Sequence, residues 1–575
     1  MSVTRRDLLS VLAATGVLSA ANPAGAFAQL LKSEAEGLYD RKPFGNVSLL
    51  VTADLHAQLR PHYYMEPPNL LAPKALYQQP GYLTGESFLR YFGLKRGGLE
   101  AYFTTYLDFV SLAQKFGMMG GASYLTALLK RQRQLLGADR TLTLDAGDTW
   151  TTSGIGLLTG GKASVDWMNL SGYHHMVAHW EFILGRELFD QRLKELKAQF
   201  ISFNIVDDQF GDPVYQPYAI HQKSGYSIGV IGSTFPYVKV AHPARFSEGL
   251  SFGVRDNELQ KYVDEIRGKG VDAVVLLSHN GLPLDSALAR RIKGIDLIIS
   301  AHTHDMTPRP LRVGSTWIVC AGSGGKFVGR VDLEVAKGSL RDLRYHLMPV
   351  APSLLEPDAE AEKLLKEAYA PHQQKLSQVL GTSESLIYKR DTVYSTFDEL
   401  VGRAVQQAYP EVEIAFSPGF RWGTTIVPGQ DITMEQLLSY TAITYPEVYI
   451  FKLKGERLKS LLEDIAANVF QPDPFYQQGG DMSRLYGLSY SLYINGKPGE
   501  RIRNISVGGR PFNPGRDYVL ASYGGNLQNT GTILEKYPPR PVYDIVAEYI
   551  RSQKSIKLEP KPPVRVLDAA YRLPG

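Results

Sequence analysis

Asp54 and His56 stand two apart just past the apolar run Val47-Ser48-Leu49-Leu50-Val51, and other apolar runs end in residues of the same kind. Thr141-Leu142-Thr143-Leu144 leads into Asp145-Ala146-Gly147-Asp148, and Ala273 to Leu277 into Ser278-His279-Asn280. Ile295 to Ser300 leads into Ala301-His302-Thr303-His304, and Ala178-His179-Trp180-Glu181-Phe182 lies between. A single histidine of this kind is usually a satisfied core or surface residue. Recurrence at several strand ends instead points to one metal centre. Asp54, His56, Asp148, His179, His279, His302 and His304 are too many ligands for one tetrahedral ion and suit two ions sharing a carboxylate. Such a pair lowers the pKa of water and clamps the oxygens of an in-line displacement.

The elements that must position these residues are short, β-branched and apolar, as buried strands are. Side chains alternate along a strand with period two, so Asp54 and His56 are expected to project the same way. Gly147 lets the backbone approach closely before the bridging carboxylate of Asp148. Strands alternating with helical stretches, such as Ala122 to Leu136 with Leu125, Leu128 and Leu129 on one face, predict an α/β sandwich with ligands at strand ends. Residues 62–119 form a long aromatic insertion, either a lid or partner surface or a satellite core, with a helix expected over Leu99 to Phe116. A charged periodic stretch predicts a connecting helix over residues 351–380. A second domain, 381–575, is rich in short strands and loops. Its tail beyond Ser555, with Pro560, Pro562 and Pro563, is expected to be extended on the surface.

Residues 1–28 read as a targeting segment. Arg5-Arg6 lies in a twin-arginine n-region before the apolar run Leu8 to Ala21, and Ala26-Phe27-Ala28 is an Ala-x-Ala cleavage site. The run is shorter than the ~20 residues a membrane span needs. Export in the folded state to the periplasm is the expectation. The mature part, 29–350 and onward, has no later apolar run long enough to span a membrane. The 575 residues carry a net charge of +4, too little to argue for nucleic acid, with 44% hydrophobic and 21% charged residues. The one cysteine, Cys320, rules out an internal disulfide framework. It lies in Trp317-Ile318-Val319-Cys320-Ala321, where a buried inert thiol is expected.

Asp54-x-His56, Gly147-Asp148, Glu181-Phe182, Ser278-His279 and His302-x-His304 together resemble the calcineurin-like metallophosphoesterases of the 5′-nucleotidase family. The resemblance implies a four-layered α/β/β/α sandwich over 29–350, followed by a smaller α+β C-terminal domain that binds substrate. It implies one ion on Asp54, His56, Asp148 and His304, and another on Asp148, His179, His279 and His302. Where nucleotidases carry Gly-Asn-His-Glu-Phe-Asp, this chain has Ala178-His179-Trp180-Glu181-Phe182-Ile183. His179 replaces the Asn ligand, Trp180 the catalytic His, and Ile183 its Asp partner. These changes, with Ser417 to Thr425 and Gln477 to Met482, look like the SoxB family, dimanganese thiosulfohydrolases of bacterial sulfur oxidation. That family has Gly where Ala178 stands, and His174-His175-Met176 also departs from its pattern.

By this resemblance Asp148, His179, Trp180 and Arg421 carry catalysis, and Arg421, Asp481, Met482 and Arg484 line the substrate channel. The implied substrate is a cysteine-linked thiosulfonate on a SoxYZ-type carrier protein, which the enzyme hydrolyses as an S-sulfosulfanyl-L-cysteine sulfohydrolase, releasing sulfate. Two manganese ions are carried over from the family, and five imidazoles equally suit zinc. Met482, with Thr444 near the other position, replaces the aromatic clamp on the nucleotide base. Arg421 sits in a Pro/Gly-bounded loop, either as an anion-binding fork or as a salt-bridged surface residue. The alternatives are a secreted 5′-nucleotidase-like phosphoesterase and a non-catalytic carrier-binding homologue.

Overall fold

In the computed structural model, residues 37–574 are described; the targeting segment, 1–28, lies outside them. Twelve strands build a sandwich: β1 (Val47–Thr52), β2 (Thr141–Asp145), β3 (His175–Met176), β4 (Gln199–Phe200), β5 (Tyr218–Lys223), β6 (Tyr226–Ser233), β7 (Ala273–Ser278), β8 (Leu297–Ser300), β9 (Leu311–Val313), β10 (Thr316–Cys320), β11 (Phe327–Ala336) and β12 (Ser339–Pro349). One sheet has the order β12-β11-β1-β2-β3-β4 and the other β9-β10-β8-β7-β6-β5. β1 to β4 are parallel, as are β6, β7, β8 and β10, with antiparallel strands at the flanks. Every residue of β1, β2, β7 and β8 is buried, which is why these strands read as unbroken apolar or Thr-rich runs.

Alternate side chains of the two sheets meet in one core, with Leu49 and Val51 of β1 packed in a layer with Val275 and Leu277 of β7. The outer faces are covered by helices. Ala122–Leu136 turns Leu125, Leu128 and Leu129, all fully buried, into the core outside the first sheet, and Leu282–Arg291 does the same on the second through Leu288. The result is the expected α/β/β/α sandwich. Cys320 is buried as expected, and burial raises its thiol pKa further.

Two expected helices are broken. Over 99–116 the chain forms Leu99–Thr104 and Phe109–Phe116, because Thr104 and Thr105 turn their hydroxyls back onto the carbonyls of Glu100 and Ala101 and Asp108 adopts a left-handed conformation. Over 351–380 the helix Ala359–Tyr369 gives way at Pro371 to a 3-10 turn and the short helix Gln373–Leu376, since proline cannot continue an α-helix. The insertion is chiefly a packing element. Tyr64, Phe88, Phe92, Tyr102 and Phe103 are buried in the core of the second sheet. It also ties the two halves of the chain together, through Met65 N–H to Thr425 Oγ1 at 2.9 Å and Leu71 N–H to Thr392 Oγ1 at 2.9 Å.

The C-terminal part centres on a mixed sheet in which Ile414–Ser417, Asp517–Ser522 and Glu447–Lys454 lie side by side, flanked by the helices Thr396–Ala408, Gly455–Val469 and Val542–Gln553. The tail is more than a surface strap. Val564–Val566 pairs in parallel with Leu488–Leu492, and Tyr571 donates its hydroxyl hydrogen to Asp391 at 3.0 Å.

Candidate metal centre

All seven predicted ligands converge at the C-terminal ends of β1, β2, β3, β7 and β8, where parallel α/β sheets place their sites. The reason Asp54 and His56 converge differs from the expectation. β1 ends at Thr52, so the pleat does not aim them. Asp54 (φ 50°) and His56 (φ 53°) lie in left-handed turns instead, as do Asp148 (φ 58°), His302 (φ 74°) and His304 (φ 60°). Non-glycine residues rarely adopt this region, and its concentration at five ligands marks strain held by the surrounding fold. At Gly147 (φ 93°) a Cβ would come within 2.9 Å of both His279 Nδ1 and the Val177 carbonyl, so only glycine fits between the two sheets.

The ligand atoms form two overlapping groups, Asp54, His56, Asp148, His304 and Asp148, His179, His279, His302; within each, all atoms lie within 4.8 Å of one another. Asp148 is common to both. Its Oδ2 is 3.0 Å from His279 Nε2, 3.4 Å from His179 Nδ1 and 3.8 Å from His56 Nε2. Its Oδ1 accepts the backbone N–H of Trp180 at 2.6 Å. His279 donates from Nδ1 to the Ala146 carbonyl at 2.5 Å, which turns Nε2 toward the carboxylate. His56 Nδ1 meets Thr152 Oγ1 at 2.8 Å. Glu181 fixes the loop that carries His179, accepting the N–H groups of His179 at 2.8 Å and Thr149 at 2.6 Å.

The chemistry of this donor set fits divalent cations. His179 Nδ1 and Nε2, His302 Nε2 and His304 Nδ1 are buried without hydrogen-bond partners, a cost that an ion taking one nitrogen of each ring lowers. His56 and His304 face each other, Nε2 to Nε2, at 2.9 Å. Burial lowers the pKa of His56 to about 4 and holds those of His302 and His304 well below the usual imidazole value, so these rings are neutral and can donate lone pairs. Burial also opposes charge on His279, yet the carboxylates of Asp148 and Asp54 outweigh it and lift its pKa to about 10. A cation between the carboxylates answers the same negative potential.

Above the centre lies a cleft lined by His179, Trp180, Phe235, His302, Arg421 and Gly479 among others. Trp180 is buried against Trp422 and His242, each with ring centroids 4.3 Å away, and Phe420 at 5.1 Å. Arg421 donates to the Gly480 carbonyl at 2.7 Å and to Asp481 Oδ1 at 3.2 Å, leaving Nη1 without a partner beside the cleft. Asp481 also lines it. Met482 and Arg484 do not. Met482 is wholly buried in the apolar core of the C-terminal part, because it begins the turn into the strand Arg484–Tyr486. Arg484 is buried beneath the cleft, donating to Asp481 Oδ2 at 3.0 Å and to the Met482 carbonyl at 2.9 Å, so it holds Asp481 and does not reach a substrate. Thr444 caps the Ile183 carbonyl at 2.6 Å.

The sequence reading missed Phe235, His242 and Arg390. Phe235 stacks on His302 and lies tilted against His179, each with ring centroids 4.1 Å apart, and follows the end of β6, so the strand-end rule that found the ligands also points to it. Arg390 lines a second opening together with Arg421, His302 and Asn280, and no local pattern marks it.

Two parallel-stranded sheets with seven Asp and His ligands at their ends, followed by a C-terminal α+β part, define the dimetal phosphoesterase-type hydrolases with 5′-nucleotidase architecture. The family described as "5′-nucleotidase, C-terminal domain" matches residues 379–534. Protein UshA of Yersinia enterocolitica is 24% identical over 424 residues, 62% of this chain and 72% of its own. A 5′-nucleotidase precursor from Thermus thermophilus shares the fold with a TM-score of 0.72 at 21% identity, over 91% of this chain and 100% of its own. The sulfate thiohydrolase SoxB of Thermus thermophilus, solved with glycerol, is 53% identical with a TM-score of 0.92, covering 93% of this chain and 99% of its own. This chain belongs to the SoxB family and is a hydrolase.

Proposed function

We infer that this protein is a thiosulfohydrolase that removes the sulfonate group from a cysteine-linked thiosulfonate on a carrier protein, releasing sulfate during thiosulfate oxidation. The observation that carries the reading is the shared Asp148 between two buried ligand groups, in a chain 53% identical to a solved sulfate thiohydrolase over nearly its whole length.

Water oxygen bonds to the sulfonate sulfur while the S–S bond breaks. The electron pair leaves on the carrier persulfide, sulfate forms, and two protons are released. Asp54, His56, Asp148 and His304 would hold one divalent ion and Asp148, His179, His279 and His302 the other, supplying an acidified water and a positive field for the anion. Arg421 would donate from its unpartnered Nη1 to a sulfonate oxygen, with Asp481 and Gly480 fixing the guanidinium. Trp180 and Phe235 wall the centre with apolar rings and limit the water around it. A persulfide is an acidic leaving group that needs little protonation, so a tryptophan serves where alkoxide chemistry calls for a histidine.

The in vivo pair is proposed to be manganese, the carrier a SoxYZ-type protein, and the compartment the periplasm reached by twin-arginine export. Among the described residues, no helix is long and apolar enough to cross a membrane. The test is sulfate release from thiosulfonated carrier by enzyme whose metals have been counted. Release that requires two ions per chain supports the reading. Full metallation and carrier binding without release would leave a carrier-binding protein, and absence of both would return the site to phosphate esters.

A further inference from the structure

His174, His175 and His221 form a second group of imidazoles outside both ligand groups of the dimetal centre. His175 belongs to β3 of the first sheet and His221 to β5 of the second, strands that share no backbone ladder. Their rings meet edge-on with centroids 4.8 Å apart and Nε2 to Nε2 at 2.6 Å. His175 is 2% exposed, and its Nδ1 has no hydrogen-bond partner. His174 accepts the Thr143 N–H on Nδ1 at 3.1 Å, so its neutral ring carries hydrogen on Nε2 and offers no second lone pair.

We propose that His175 and His221 form a binding site for a single late first-row divalent cation, copper(II) above all, bridging the two sheets at the open end of the sandwich. Imidazole nitrogen suits such ions, and affinity at a given nitrogen site rises toward copper. The Nε2–Nε2 contact is a hydrogen bond in which one ring carries its hydrogen on Nε2; binding shifts that hydrogen to the ring's Nδ1, so both Nε2 lone pairs reach the ion and no net proton is released. Burial holds His175 neutral down to about 3, which keeps its lone pair free in ordinary buffers. The half-buried His221 lies on an edge strand, leaving solvent to complete the coordination. Lys223, two residues along the same face of β5, brings positive charge toward His221, so its removal is expected to tighten binding.

The experiment uses the full-length, metal-loaded enzyme dialysed against copper(II), with copper counted by elemental analysis in wild type, His221→Ala and Lys223→Gln. Wild type should retain about one more copper per chain than H221A, because imidazole pairs favour this ion. The difference electron paramagnetic spectrum should be that of an isolated copper with two nitrogen couplings. K223Q should bind that copper several-fold tighter. Any copper entering the dimetal centre is common to all three proteins and cancels. Equal copper in wild type and H221A, or a difference spectrum without nitrogen coupling, overturns the site. Should H221A fail to fold, His221→Asn keeps the polar edge and is read the same way.

Discussion

His279 and Asp148 reach each other from different sheets, Nε2 to Oδ2 at 3.0 Å, with His279 anchored through Nδ1 to the carbonyl of Ala146 two residues before that carboxylate. The packing of the sheets and the assembly of the metal centre are therefore one event. Each ligand group draws on both sheets, so a shift of one sheet against the other would pull both groups apart.

Asp148→Asn removes the charge common to both groups. The variant should hold fewer than two ions per chain by elemental analysis and lose about a thousandfold or more in sulfate release, since both ions depend on it. Asp54 is a member of one group only, although it lies 3.8 Å from His279, so Asp54→Asn should keep the ion of the other group. Two full ions in D148N would refute the sharing.

Gly479 (φ 80°) lies over His302, and a Cβ there would sit 2.5 Å from its Nε2. Gly479→Ala should displace the ring and cost roughly 10- to 100-fold in affinity for the second ion, as loss of ligand orientation does. Thermal unfolding of the metal-free protein should reflect only the strain of alanine in this left-handed conformation, about 1–2 kcal/mol, because the loop Gln478 to Gly480 is not buried in a core. Wild-type metal affinity in this variant would mean that His302 is not a ligand.

Trp180→His restores the residue of the nucleotidases at the cleft wall. Hydrolysis of p-nitrophenyl phosphate should rise by on the order of tenfold or more, the low end of what a positioned acid or base supplies. Sulfate release should fall as Trp180 loses its packing on Trp422 and His242. If both activities stay unchanged, Trp180 plays no part in substrate choice.

Asp391 is buried far along the chain from the metal ligands, and burial raises its pKa to about 7 against donors on Asn69, Val393 and Tyr571. A carboxyl whose folded pKa lies above its unfolded value binds its proton more tightly when folded. Its contribution is full below the unfolded value of about 3.9 and is lost as pH rises through about 7, at most about 4 kcal/mol. Denaturant unfolding of wild type across that window should therefore show a slope that Asp391→Asn lacks, whatever the absolute stability of the variant. Parallel pH profiles would place the Asp391 proton elsewhere.

Much of the centre was legible because strand ends are local features. A run such as Ala273 to Leu277 announces a buried strand, and the residues after it announce what it delivers. The C-terminal contribution was less legible. Arg421 was found through its loop, whereas Met482 and Arg484, one and three residues from Asp481, lie inside the core and beneath the cleft. Which side of a loop faces a cavity depends on what packs behind it, and no local pattern carries that.

The sequence by itself determined which strands are buried, which residues stand at their ends, and the class of chemistry seven Asp and His ligands can perform, because hydrophobic runs and ligand types are written along the chain. Only the tertiary structure decided how the ligands aim. Left-handed turns at Asp54, His56, Asp148, His302 and His304 take the place of strand pleating, and such conformations persist only when packing on every side enforces them. It also decided that Phe235 packs against both His179 and His302 and that His175 meets His221 across the sandwich, since these contacts join segments that nothing but the folded core brings together.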